Sequence, residues 1–221
     1  MSKFSLFFGA ATALVTPFEQ NGALDLDSYR KLLRFQLDAG IDALLVCGTT
    51  GEAPTLSDEE STALLCEAVK TAQKSVPVIM GIGSNCTEHA VNKARAAEQN
   101  GADALLAVTP YYNKCTQEGL VAHYTAIADA TSLPLILYNV PSRTGVNLMP
   151  DTCARLATHP HIHGIKEVCP DHRDLVYYQK VEGTDNLYPF LSEAAEALRC
   201  LILCEKLLYI RKIRAQRELE E

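Results

Sequence analysis

The stretch LPLILYNVPSRTG, residues 133–145, runs from a buried apolar segment through a tyrosine into a proline–arginine turn. LPLIL offers no polar face, which fits a strand covered on both sides, as in a parallel sheet. Tyr138 and Asn139 close the run, and Pro141 and Gly145 punctuate the turn beyond it. Polar and aromatic groups therefore gather at the carboxyl end of a buried strand. Three further runs end the same way: IDALLVC (41–47) in Gly48-Thr49-Thr50-Gly51-Glu52, ADALLAV (102–108) in Thr109-Pro110-Tyr111-Tyr112-Asn113, and IHGIK (162–166) in Lys166 itself.

Between these runs lie amphipathic segments of helical period. Residues 10–16 read as a strand, 27–39 as a helix ended by Gly40, and 58–74 as a helix with Ser57 and Glu60 in a capping box. VPVIMGI (76–82) is the third strand, and Thr87 is expected to cap a helix that ends near Asn100-Gly101. Helices at 117–131 and 150–158 complete the six strand–helix repeats that precede and include the strand 162–166. Such alternation means a parallel sheet with helices packed on it. An open doubly wound sheet would concentrate its site at one switch point, usually with a glycine-rich loop after the first strand. Gly9-Ala10-Ala11-Thr12 is no such loop, whereas a barrel builds its site from the carboxyl ends of many strands. The expected fold is an α/β barrel of the TIM (β/α)8 type, occupying residues 1–191 with about seven strands. Asn186 to Leu191 would be the seventh, and 192–221 an atypical helical C-terminal segment in place of an eighth.

The composition bounds the function. With 48% hydrophobic and 21% charged residues the chain is globular, and its net charge of -7 argues against a nucleic-acid partner. No apolar run reaches the roughly 20 residues that a membrane span needs, and Met1 to Phe8 lacks a cleavage signal, so a cytoplasmic location is expected. None of the eight cysteines forms a CxxC pair, which leaves no zinc ribbon or disulfide framework. His159, His161 and His163 alternate, but they lie at the entry end of their strand and read as loop and strand start rather than a metal site.

Lys166 carries the chemistry. A lysine avoids apolar surroundings unless they serve it, because desolvation lowers its pKa and frees a neutral amine to attack a ketone. Read alone it could equally be a strand-end lysine paired with Glu167. Gly48-Thr49-Thr50-Gly51 supplies hydroxyls and backbone N–H groups suited to a small carboxylate. The Tyr138 phenol could shuttle protons, and the planar fork of Arg143 suits a second carboxylate. Together these groups describe a keto acid held beside an amine.

In order and spacing, GTTGE (48–52), TPYYNK (109–114), YNVPSRTG (138–145) and GIKE (164–167) resemble the dihydrodipicolinate synthase family, from about residue 6 to about 190. The resemblance implies that Lys166 forms a Schiff base with pyruvate, needing neither cofactor nor metal. It implies a proton relay of Thr50, Tyr138 and Tyr112, the last reaching in from a neighbouring subunit of a homodimer or homotetramer. Gly48, Thr49 and Thr50 would hold the pyruvate carboxylate and Arg143 that of L-aspartate 4-semialdehyde, feeding lysine and diaminopimelate synthesis. The wider superfamily adds N-acetylneuraminate lyase and 2-keto-3-deoxy sugar-acid aldolases as alternatives, against which Arg143 and Tyr111-Tyr112 speak. A third alternative is a truncated, weakly active or inactive barrel serving in binding or assembly. Asn85 and Tyr111 match positions where some members bind lysine, but His89 stands where those members carry glutamate, which speaks against lysine inhibition.

Overall fold

Each apolar run of the repeat forms a short strand, and each amphipathic segment a helix laid against it. The structure, a computed structural model, describes residues 6–7 and 9–168. The strands are β1 (Ala11–Ala13), β2 (Ala43–Val46), β3 (Val78–Gly81), β4 (Ala104–Val108), β5 (Leu135–Asn139) and β6 (Ile162–Glu167). The helices are α1 (Leu26–Asp38), α2 (Asp58–Ala72), α3 (Thr87–Gln99), α4 (Gln117–Asp129), a single turn α5 (Pro141–Thr144) and α6 (Pro150–Ala157). The expected seventh strand and helical tail fall outside the described residues. No helix among the described residues is long and apolar enough to cross a membrane.

All six strands are parallel and pair in the order β1-β2-β3-β4-β5-β6. A doubly wound sheet reverses its order to place helices on both faces. Here the order never reverses, so right-handed crossovers deliver every helix to one side. This is the winding of a TIM-type barrel, and the described residues supply six of its strands.

Side-chain alternation then divides the core in two. Leu44, Val46, Val78, Leu105 and Leu137 face the helices and meet residues such as Leu33, Leu64, Leu120 and Ile127. Leu45, Ile79, Leu106, Ile136 and Tyr138 form a second cluster on the opposite, inner face, joined by Phe7 and Val168. Each large aliphatic side chain so buried contributes roughly 1.5–3 kcal/mol.

The Ser57–Glu60 capping box forms as expected: the Ser57 hydroxyl accepts from the Glu60 N–H at 3.1 Å, and the Glu60 carboxylate accepts from the Ser57 N–H at 2.9 Å. The cap of α3 differs. Cys86 occupies the N-cap without a side-chain bond, and Thr87 is the first helical residue. The Thr87 hydroxyl turns instead to Nδ1 of the buried His123 on α4, at 2.9 Å. A tertiary partner outcompetes the local one.

The β5–β6 pairing carries one irregularity that matters for the site. Leu135 pairs with Ile162, but Ile136 pairs with Gly164, so His163 is inserted as a bulge. An inserted residue reverses the alternation of everything after it. Ile162 and Ile165 both face the helices although they are three positions apart, and Lys166 is thereby brought to the inner face.

Candidate active site

Register places the two central groups side by side. Tyr138 and Lys166 are paired across β5 and β6, and Nζ of Lys166 lies 4.6 Å from the centroid of the Tyr138 ring. A cation over an aromatic face at this distance is attracted to the ring. The Tyr138 side chain is 4% exposed, so its phenol works in surroundings with little water. Lys166 is half-buried. Glu167, the alternative partner of Lys166 in the sequence, points to the other face of the sheet, as neighbouring strand residues must.

The Gly48–Gly51 turn sits at the exit of β2. Cys47 adopts a left-handed conformation (φ 53°) that swings the chain off the strand, and Glu52 (φ 56°) ends the turn. The N–H groups of Gly51, Glu52 and Ala53 bond back to Gly48 and Thr49 carbonyls. Those of Thr49 and Thr50 are not engaged within the turn. The turn can lie this low because β3 ends in Gly81, where a Cβ would collide with the Cys47 carbonyl oxygen. The Cys47 thiol is pushed up to about 11 by burial, which keeps it protonated and un-nucleophilic at neutral pH.

The loop after β4 is tied to the turn after β5. Thr109, fully buried, donates its N–H to the Tyr138 carbonyl at 3.0 Å and its hydroxyl to Thr144 Oγ1 at 3.1 Å. Tyr112 donates its N–H to the Thr144 carbonyl at 3.2 Å. The segment Pro141–Thr144 is therefore a helical turn, with Pro141 opening it and Gly145 closing it at φ 71°.

Gly48, Thr49, Tyr111, Tyr138 and Arg143 line one cleft of about 650 Å³. Its floor continues between α2 and α3, past Ser61, His89 and Lys93. Lys166 is not among the residues that line this cleft, and Thr50, half-buried, belongs to the same turn as Thr49 but does not line it. Tyr112 is not brought into it either: the side chain is 86% exposed, on a residue with φ 76°. The three histidines serve local structure. His159 contacts Asp129 at 3.0 Å, His161 the Ala128 carbonyl at 3.0 Å, and His163 the Pro160 carbonyl at 2.9 Å.

Sequence reasoning missed Asn139 and Glu167. They are register partners on the helix-facing side, 0% and 5% exposed. The Asn139 amide donates to both Glu167 oxygens at 3.0 and 3.1 Å and to Asn147 Oδ1 at 2.7 Å, while its oxygen accepts from the Leu148 N–H at 3.0 Å. Two polar residues ending two neighbouring strands were the available signal.

The fold and this rim define a class: a parallel β/α barrel with a lysine and a tyrosine set against each other at the carboxyl ends of adjacent strands. The model of the dihydrodipicolinate synthetase family matches residues 6–190, and the chain belongs to that family. It is 54% identical over 162 residues to the 4-hydroxy-tetrahydrodipicolinate synthase of Geobacter sulfurreducens, an alignment covering 73% of this chain and 56% of that protein. The dihydrodipicolinate synthase structure from Thermotoga maritima superposes with a TM-score of 0.79 at 45% identity, covering 82% of this chain and 61% of the other. The Acinetobacter baumannii enzyme, solved in complex with pyruvate, gives a TM-score of 0.78 at 47% identity, covering 81% and 62%. The chain thus spans a little over half the length of the curated relatives it matches.

Proposed function

We propose that this chain carries the reacting rim of a 4-hydroxy-tetrahydrodipicolinate synthase, which condenses pyruvate with L-aspartate 4-semialdehyde in lysine and diaminopimelate synthesis. The observation that carries the reading is the Lys166 amine standing against the buried Tyr138 ring at 4.6 Å. Lys166 attacks the ketone carbon of pyruvate, water leaves, and an imine forms. Loss of a methyl proton gives an enamine, whose carbon adds to the aldehyde. The amino group of the semialdehyde then attacks the imine carbon, closing the ring and displacing Lys166 as the free amine. Every electron pair in this sequence comes from the substrates and the lysine, so the reading calls for no cofactor or metal.

The remaining roles are those the family resemblance implies. Gly48, Thr49 and Thr50 receive the pyruvate carboxylate, with Thr49 at the cleft wall. Tyr138, Thr50 and Tyr112 relay protons, and the outward position of Tyr112 suits delivery to a neighbouring subunit of a homodimer or homotetramer. Arg143, exposed and lining the same cleft, receives the carboxylate of the semialdehyde. A cationic fork in that place favours an acidic aldehyde over a polyhydroxylated sugar. On this reading the protein works in the cytoplasm.

Borohydride reduction in the presence of pyruvate tests it. One pyruvate-derived group should appear on Lys166 by mass spectrometry, and none on Lys166→Ala. A folded sample that takes up no group would overturn the reading in favour of a barrel retained for binding or assembly. Turnover of N-acetylneuraminate without turnover of the semialdehyde would move it to the lyase.

A further inference from the structure

The bulge that turns Lys166 inward creates a problem that the pairing alone does not solve. A strand that gains one residue can slip back by one, and a slip would return Lys166 to the helix-facing side. Only three register pairs follow Gly164 before β6 ends: Leu137 with Ile165, Tyr138 with Lys166, and Asn139 with Glu167. The first of these is apolar and smooth. Something must fix the far end.

We propose that Asn139 and Glu167 form a positioning couple for Lys166, a buried clamp on the back of the sheet that locks β6 in the bulged register. This rests on the reading of Lys166 as the reactive amine. The Asn139 amide uses both of its hydrogens and its oxygen, on Glu167, Asn147 and the Leu148 N–H. Because the oxygen must face the Leu148 N–H, the amide orientation is fixed, and it presents a donor to Glu167 rather than an acceptor. The Asn139 carbonyl also receives the Val168 N–H at 2.9 Å, which anchors the chain immediately past the clamp. A buried carboxylate is costly to leave without its donor. A one-residue slip would carry Glu167 off the amide and onto the inner face, so the clamp penalises the slipped state strongly. Neither residue touches substrate; both act through Lys166.

The test changes polarity without changing shape. In Asn139→Asp two carboxylates face each other and the clamp is lost. In Asn139→Asp combined with Glu167→Gln the donor and acceptor are exchanged and the clamp re-forms, with the Asn147 amide turning over to donate. The protein is labelled with [ε-13C]lysine, and the Lys166 resonance is assigned by its loss in Lys166→Arg. In the wild type the Lys166 ε-protons should be shifted upfield by the Tyr138 ring. The single variant should lose that shift while circular dichroism stays native, and the double variant should recover it. The rate of pyruvate trapping should fall about tenfold and recover to within threefold in parallel. If the single variant does not fold, Glu167→Met against Glu167→Gln replaces it, with Met losing the shift and Gln keeping it. A wild-type ring shift in folded Asn139→Asp or Glu167→Met, or a double variant that fails to recover, would overturn the clamp. Failure of the wild type to trap pyruvate would instead overturn the functional reading, and the ring shift would still decide the positioning.

Discussion

Lys166 and Tyr138 meet on the inner face of the sheet only because β6 carries an extra residue, His163, opposite the step from Leu135 to Ile136. With that register, the Lys166 Nζ stands 4.6 Å from the ring centroid. The ring and the hydroxyl of Tyr138 can then be tested separately. Tyr138→Phe keeps the ring that packs among Ile136 and Val140 and removes the hydroxyl to which proton transfer is assigned in the proposed function. The imine-trapping rate should fall about 100-fold, the scale of a lost acid–base group, with a melting temperature within a few degrees of wild type. Unchanged trapping would remove Tyr138 from the relay.

The low seat of the Thr49–Thr50 turn depends on Gly81. A methyl group there would overlap the Cys47 carbonyl oxygen, a backbone atom that can yield only if the turn moves. Gly81→Ala should therefore cost about 1–3 kcal/mol in urea unfolding, the usual range for overpacking. It should also weaken pyruvate binding, measured on folded protein by calorimetry. A variant as stable and as tight as wild type would mean that the turn is free to shift.

The fold was legible because its signals are local and repeated. LPLILYN, ADALLAV and IDALLVC are each apolar on both faces, and that alone implies a covered parallel sheet. Barrel winding followed from polar residues recurring at strand ends. The central pair of the site was legible too, since Lys166 and Tyr138 close neighbouring strands. What escaped depends on pairing between segments. Strict alternation from Ile162 would send Lys166 outward, and no residue in IHGIKE announces the bulge. The Asn139–Glu167 contact joins residues 28 positions apart and exists only in the bulged register. Thr87 shows the same limit, because its hydroxyl serves His123 on another helix rather than its own helix end.

Arg143 lines the cleft from α5 yet remains exposed. Its substitution should leave stability within about 0.5 kcal/mol of wild type, as for other surface changes. Arg143→Lys keeps the charge and loses the planar fork. The KM for L-aspartate 4-semialdehyde should rise about tenfold, corresponding to roughly 1.4 kcal/mol of lost binding, while pyruvate trapping at Lys166 stays unchanged. A raised requirement for pyruvate instead would place Arg143 at the keto-acid end of the cleft.

His123 gives the chain a pH dependence away from the candidate site. The side chain is 4% exposed, its Nδ1 is bonded to the Thr87 hydroxyl, and its Nε2 is buried without a partner among the described residues. Burial lowers its pKa from 6.5 to about 4, so the folded protein holds it neutral. The unfolded chain takes up a proton near 6.5, and the folded one does not until about 4. Between those values the unfolded state binds more protons, so stability falls as the pH falls and is regained as it rises. The window spans about 2.5 pH units, worth on the order of 3 kcal/mol. Glu67, Glu98 and Glu118, whose pKa values are lowered by Arg30, Ser132 and Arg155, lose stability in the same direction on acidification. The histidine contribution is isolated by difference. Urea unfolding of wild type and His123→Gln at pH 7.5 and 4.5 should show a wild-type loss larger by about 2 kcal/mol than that of the variant. Equal losses would mean that His123 is solvated or already protonated in the folded state.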